Sequence, residues 1–354
     1  MKLYIPGPVP VREEVLNAMS HNMISHRGQE ASQWQLEISQ YMQNIWHTEK
    51  AVLCSSSSGT GLMEGSLSSC ANSVAVFSVG AFGNRFEEIG KGIGLEVDLY
   101  EEEWGRGIDE KKLEEAAKSG KYDAIALTHN ETSTGVINPL DQLSRIFKKY
   151  PEILWIVDSV SATGGAPTDV DDWGIDIMIT STQKSLGLPP GMAFCTFSHK
   201  ARQRAEDKKR RGFYMDLLKL DNYRIKKDQY PSTPNISLMA AAREQLRYIV
   251  KEETLEKRLQ RHVRLQSMVG EWVEKYGKFF AEEELRSPTV TTIALEEGKD
   301  IDLLLRKMKD KGYLLSGGYG KLKGSTFRIA HMADCQETDL AEMLHELTKT
   351  VKEI

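Results

Sequence analysis

The chain has 354 residues, 40% of them hydrophobic, and its 46 basic and 51 acidic side chains leave a formal net charge of -5. That length exceeds one minimal core and favours a large domain with a smaller one beside it. Charges of both signs are mixed along the whole chain, which excludes the basic footprint of a nucleic-acid or anionic-membrane binder and leaves small molecules and protein subunits as the expected partners.

The cysteines, Cys54, Cys70, Cys195 and Cys335, are few and form no CxxC pair, so no disulfide scaffold or metal site is expected and a reducing cytoplasm fits. The opening MKLYIPGPVP carries an apolar run broken by Pro6, too short for a signal peptide. No apolar run approaches the roughly 18 residues of a membrane span.

From about residue 50 to 200, short apolar runs alternate with helical patterns: AVLC, SVAVFSV, LEVDLY, DAIALT, ILWIV, DIMIT and MAFCTF. Most lack strict apolar and polar alternation, the mark of strands buried on both faces, so the reading is an α/β unit with a mostly parallel sheet. In such sheets ligands sit beyond the carboxyl ends of the strands. After STPNISL, residues 239–275 place Leu246, Ile249, Val250, Leu259, Val263 and Trp272 at helical spacing among dense charges, which predicts one long amphipathic helix. TVTTIAL and STFRIAH then read as strands, with helices over DIDLLLRKMKDKG, stopped by Gly312, and over the closing ETDLAEMLHELTKTVKEI. The expected division is a large α/β domain over residues 15–240 and a small α+β domain over 241–354, with residues 1–14 packed near the latter.

Four features fall at strand ends or helix starts. In SSSSGTGLMEGSL, hydroxyls and glycines precede a helix, so Ser58, Gly59 and Thr60 can either cap it or receive an anion on its free N–H groups. The segment lacks the lysine of a nucleoside-triphosphate loop. HNETSTG, after DAIALT, brings Ser133 and Thr134 to a strand end, where they can shape a pocket or form a plain loop. In ILWIVDSVSATGG, Asp158 ends an apolar run; a carboxylate there needs a partner, either a protonated heterocycle nitrogen or the turn that follows. STQKSLGLPPG sets Lys184 just beyond the next apolar strand, ahead of a double proline. A desolvated lysine amine deprotonates readily and condenses with a carbonyl. The combination describes a site for an aromatic aldehyde that bears a phosphate.

PGPV, SSGTGLME, NETSTGV, VDSVSATGG, STQKSLGLPPG, GFYMDLLK and FRIAHM, in that order, resemble the class V aminotransferases of fold type I, in the branch of serine/alanine:glyoxylate aminotransferases and small aspartate aminotransferases. The resemblance covers nearly the whole chain. It implies pyridoxal 5'-phosphate held as a Schiff base by Lys184, which then shuttles a proton, with Asp158 paired to the ring nitrogen. It further implies Phe82 over the ring face, Ser133 on the ring hydroxyl, and Ser58, Gly59, Thr60 and Gln183 on the phosphate. Ser232 or Thr233 would reach the phosphate of a neighbouring subunit in a homodimer. Arg328 would hold the substrate α-carboxylate through a two-pronged bond, with Gly7 and Pro8 closing over it.

Substrate choice turns on MISHRGQE, where His26 and Arg27 are candidate discriminators. Arg27 either holds a second carboxylate, favouring aspartate, or only packs against the N-terminal helix. The implied function is transfer of an amino group from a small amino acid, alanine or serine, to glyoxylate or pyruvate, with an aspartate donor as the alternative. A cysteine desulfurase would need a mobile cysteine ahead of the carboxylate-binding arginine, and Cys335 follows Arg328. A dehydrogenase would need GxGxxG after the first strand, and a non-catalytic relative would be marked by loss of the lysine or the aspartate.

Overall fold

The computed structural model describes residues 1–354. Seven strands form its main sheet: β1 (Ala51–Ser55), β2 (Ser73–Ser78), β3 (Glu96–Glu101), β4 (Ala124–Thr128), β5 (Leu154–Asp158), β6 (Ile177–Ser181) and β7 (Ala193–Phe197). They are ordered β1-β7-β6-β5-β4-β2-β3, and only β7 runs antiparallel to its neighbours. All seven apolar runs read from the sequence are strands here.

Burial on both faces explains why these runs do not alternate. Along β5, Leu154 and Ile156 enter one core while Trp155 and Val157 enter the other, and all four are fully buried. Trp155 stacks on Phe147 at 3.9 Å from the helix that covers that face. Truncating any of these aliphatic side chains to alanine removes about 2–5 kcal/mol.

A second sheet orders Lys278–Phe279, β8 (Val290–Ala294), β9 (Phe327–Ala330) and β10 (Ser316–Gly317), all antiparallel. Its core joins Ile293, Phe327 and Ile329 to Leu265 and Trp272 of α3 (Leu255–Tyr276) and to Leu340 and Leu347 of the closing helix. Tyr4 belongs to the same core, because Lys2–Leu3 pairs in parallel with Tyr313–Leu314 and the Tyr4 carbonyl accepts from Ala330 N–H at 2.9 Å. The N-terminal segment is thereby fixed beside the small layer. No helix is long and apolar enough to cross a membrane.

The long helix expected over residues 239–275 is broken. Ile236–Arg247 is α-helical, Tyr248–Glu253 forms a wider π-helical turn, and Thr254 turns left-handed at φ 65° before α3 begins. The break turns Glu253 inward, where it meets Arg258 and Arg261; periodicity could not reveal it because the apolar spacing continues through the turn.

Candidate active site

The six parallel strands end along one edge, and the residues predicted for the cofactor's amine, ring nitrogen, ring face and phosphate gather there. One cavity is lined by Ser58, Gly59, Thr60, Phe82, Asp158, Gln183 and Lys184, together with Met63, Arg85, Asn130, Thr132, Val160, Ser161 and Ser181. Asp158 is the last residue of β5, opposite Ile179 of β6, and Lys184 follows the end of β6 by three residues.

Helix α1 (Gly59–Cys70) starts at this cavity. Its N-cap, Ser58, is extended and makes no side-chain cap bond, so the first N–H groups stay available to an anion. Gly59 has to be glycine, since a Cβ would lie 2.7 Å from Val160 Cγ2. Helix α2 (Ala81–Gly92) begins on the other side and carries both Phe82 and Arg85; the Arg85 guanidinium lies 4.6 Å from the Phe82 ring centre and donates to Thr60 Oγ1 at 3.2 Å.

Lys184 is covered by the N-terminal segment. Its ammonium donates to the Pro6 carbonyl, and a Cβ on Gly7 (φ 113°) would sit 2.8 Å from Lys184 Cδ. Val9 N–H donates to the Gln183 carbonyl at 3.3 Å. Burial, reinforced by the Arg328 cation, pulls the Lys184 amine down to about 8. Burial pushes Asp158 up to about 6, against the pull of its 2.8 Å bond from Val160 N–H. These opposite shifts are those expected for an amine and a carboxyl held in a dry site short of partners.

Arg328, on β9, is 7% exposed and lies behind the cavity wall, outside the lining but close enough to Lys184 to lower its amine. Its Nε and Nη2 donate to the Gly317 carbonyl at 3.1 and 3.0 Å, and Nη1 donates to the Thr132 carbonyl at 3.2 Å.

Several of the candidate residues lie off the cavity wall. Ser133 is fully buried, outside the cavity lining, and its hydroxyl donates to Glu131 Oε1 at 2.6 Å. Asn130 and Thr132 line the cavity, while Glu131 and Ser133, on the short strand and the turn that follows it, bond to the N–H groups at the start of α2. Arg27 is not at the cavity; its guanidinium donates to the carbonyls of Tyr230 at 2.6 Å and Pro231 at 2.7 Å, binding two loops together. His26 is likewise outside the lining. Ser232, half-buried, and Thr233, exposed, do not reach the cavity of their own chain.

Two residues of the site went unread in the sequence. Glu131, fully buried, accepts the N–H groups of Phe82 and Gly83 at 3.0 Å each and so caps α2, while Gly80 before it has no room for a side chain. Burial raises its carboxyl. Its signal was an acidic residue followed at once by hydroxyls at a strand end. Arg85 could have been found as the residue one helical turn after Phe82.

Pyridoxal 5'-phosphate fits these residues. Asn130 Oδ1, Ser181 Oγ and Gln183 Oε1 are buried polar atoms of the cavity wall without hydrogen-bond partners. Such atoms are costly unless a ligand meets them. Phe82 and Val160 supply apolar walls for a ring, and Asp158 a carboxylate for its nitrogen.

An uncharacterized aminotransferase of Methanocaldococcus jannaschii is 36% identical, over 99% of this chain and 93% of its own. The alanine–glyoxylate aminotransferase of Oryctolagus cuniculus is 33% identical, over 94% and 87%. Among solved structures, the subgroup IV aspartate aminotransferase of Thermus thermophilus superimposes with a TM-score of 0.92 at 28% identity and full coverage of both chains. The Aminotransferase class-V family model matches residues 12–319. The chain therefore belongs to the class V aminotransferases and is a pyridoxal-phosphate-dependent transaminase of fold type I.

Proposed function

We propose that this transaminase takes the amino group of a small amino acid, alanine or serine, and gives it to glyoxylate or pyruvate. The observation that carries the choice is where the arginines are held. Arg328 stands behind the cavity wall, bonded to the Thr132 carbonyl and near enough to Lys184 to shift it, whereas Arg27 is off the cavity on the Tyr230 and Pro231 carbonyls and Arg85, in the lining, is bonded to Thr60 beside the anion-receiving start of α1. A donor with one carboxylate needs no second arginine.

When bound, pyridoxal 5'-phosphate supplies a carbonyl that takes up and returns the amino group and an electron-poor ring that stabilises the carbanion. Lys184 provides the amine; at about 8, its ionisation leaves a useful fraction neutral near physiological pH, able to attack a carbonyl and to carry a proton. Asp158 would hold the ring nitrogen protonated, and the cofactor cation in turn would keep this carboxyl ionised despite its burial. Ser58, Gly59, Thr60 and Gln183 would receive the phosphate, Phe82 would cover the ring, and Thr132 is better placed than Ser133 for the ring hydroxyl. Arg328 would turn its two terminal nitrogens from the Thr132 and Gly317 carbonyls to the substrate carboxylate while Nε keeps its bond to Gly317, with Gly7 and Pro8 overhead.

The same reading has residues 15–240 and 241–354 as the two domains and a homodimer as the working form, in a reducing cytoplasm. Exposed Phe213, Tyr214 and Met23 support a covering subunit, the outward placement of Ser232 and Thr233 supports their service to a neighbour's phosphate, and the free cysteines support the compartment.

The test is a half-reaction screen on the reconstituted yellow protein. Alanine or serine should bleach the cofactor band, and glyoxylate or pyruvate should restore it. A kcat/KM for aspartate above that for both small donors sinks the choice of substrate.

A further inference from the structure

We propose that Tyr319 is the specificity-determining wall of the substrate pocket and that its ring rejects amino donors with long side chains. The proposal rests on the small-donor reading above and names the residue that would enforce it.

Three distances place Tyr319. Its ring stacks on Phe82 with centroids 5.5 Å apart and planes inclined by 22°; the Arg328 guanidinium carbon lies 5.7 Å from the Tyr319 ring centre; and Lys184 Nζ lies 6.0 Å from that of Phe82. A substrate with its carboxylate on Arg328 and its amine toward Lys184 has to lie against this aromatic pair. Tyr319 is 42% exposed and its hydroxyl has no partner, so folding alone gives no reason for a ring at this place.

The turn that carries it is rigid and tied to the carboxylate-binding group. β10 pairs with β9, setting Ser316 opposite Arg328, and both Arg328 Nε and Nη2 hold the Gly317 carbonyl, two residues before Tyr319. Gly318 N–H donates to the Thr326 carbonyl at 2.7 Å, and a Cβ on Gly318 would fall 2.0 Å from the Leu322 carbonyl oxygen, so no side chain fits there. Gly320 then turns left-handed at φ 57°. The turn is thus held at its backbone beside the arginine, and the stack on Phe82 sets the place of the ring, which is what shape discrimination requires. It also bridges the two layers, since Phe82 sits on α2 of the large one.

The experiment compares the holoenzyme with Tyr319→Phe, Tyr319→Leu and Tyr319→Ala, using alanine, 2-aminobutyrate, norvaline and norleucine as donors. Each methylene in an apolar pocket is worth about 10–200-fold. The expected result is a norvaline-to-alanine ratio of kcat/KM at least about 10-fold higher in Tyr319→Ala, intermediate in Tyr319→Leu, and within about threefold of the parent in Tyr319→Phe. A binding readout accompanies it: the dissociation constants of propionate and hexanoate, which carry no amino group, read from the shift of the cofactor absorbance. Hexanoate should gain against propionate in the truncated variants. Unchanged ratios, or an equal loss for short and long ligands, overturn the proposal. If the parent instead prefers aspartate, the substrate reading fails while the ratio between variants still decides the role of Tyr319.

Discussion

Two buried clusters of charge lie close together in this molecule and are built on opposite rules. Around Arg258, on α3, every charge is met: Arg258 is fully buried, pairs with Glu253 and Asp334 at 2.7 Å each, and donates to the carbonyls of Gly164 at 3.0 Å and Ser185 at 2.8 Å. Arg261 adds its own bonds to Glu253 and to the Ala333 and Cys335 carbonyls. The ionised state of Arg258 is accordingly favoured, and its pKa rises. In the cavity and just behind its wall, Lys184 has a carbonyl for its partner, Asp158 a backbone N–H, and Arg328 two carbonyls, so none of the three makes a salt bridge. There the shifts run toward neutrality. The paired cluster locks the backs of the loops after β5 and β6 to α3; the unpaired one leaves charge for ligands.

The largest effect expected is on chemistry. Lys184→Ala should lower amino transfer by roughly 10⁴-fold or more, because both the covalent attachment and the proton carrier are removed. Borohydride treatment of the parent followed by peptide mapping should find the reduced adduct on Lys184 and nowhere else. An adduct at another lysine would break the contrast, since Lys184 would then be one more buried cation.

Stability should respond to Arg258 next. Arg258→Met takes the cation from Asp334 and leaves Glu253 with Arg261 alone, and should cost about 3–5 kcal/mol, read as a lower midpoint of urea unfolding in the cofactor-free protein. In the cavity the same assay should give the opposite sign. Asp158 has its folded pKa raised to about 6 from 3.8, so the folded state binds the proton more tightly than the unfolded one. The cost of its ionised form is therefore absent below about pH 4, grows as pH rises, and is fully present above about pH 6, where it reaches about 3 kcal/mol. Cofactor-free Asp158→Asn should be the more stable chain at pH 7, with the advantage gone at pH 3.5. A loss of stability at pH 7 would mean that Asp158 is a structural ion like Glu253.

The two clusters also differ in how far the sequence disclosed them. Lys184, Asp158 and the start of α1 were legible because strand ends announce themselves through apolar runs that stop at a polar residue, and because those motifs lie in unbroken family order. The arginine cluster was not legible: its members stand in a charged helix whose periodicity says only that one face is apolar, and the turn at Thr254 that brings Glu253 inward leaves that periodicity intact. Ser133 was missed by one place for a related reason. Both it and Thr132 carry hydroxyls, and only the geometry of the turn after Asn130–Glu131 decides which faces the cavity.

Arg27 offers the smallest effect and the finest discrimination, because an exposed arginine near a binding loop suits a carboxylate ligand as well as a backbone clamp. The geometry favours the clamp: two carbonyls within 2.7 Å, and the Gln229 side chain donating back to the Arg27 carbonyl at 3.1 Å, close a small ring of bonds between the loops. Arg27→Gln should therefore leave the aspartate-to-alanine ratio of kcat/KM within about twofold, while loosening the Tyr230–Thr233 segment enough to weaken cofactor retention modestly on dialysis. A lysine should rescue less than half of that loss, since an ammonium cannot address two carbonyls with the planar fork of a guanidinium. If the donor ratio instead falls 10-fold or more against aspartate, Arg27 is a carboxylate receptor, the substrate side of the cavity has a second cation after all, and the small-donor reading gives way to an acidic one.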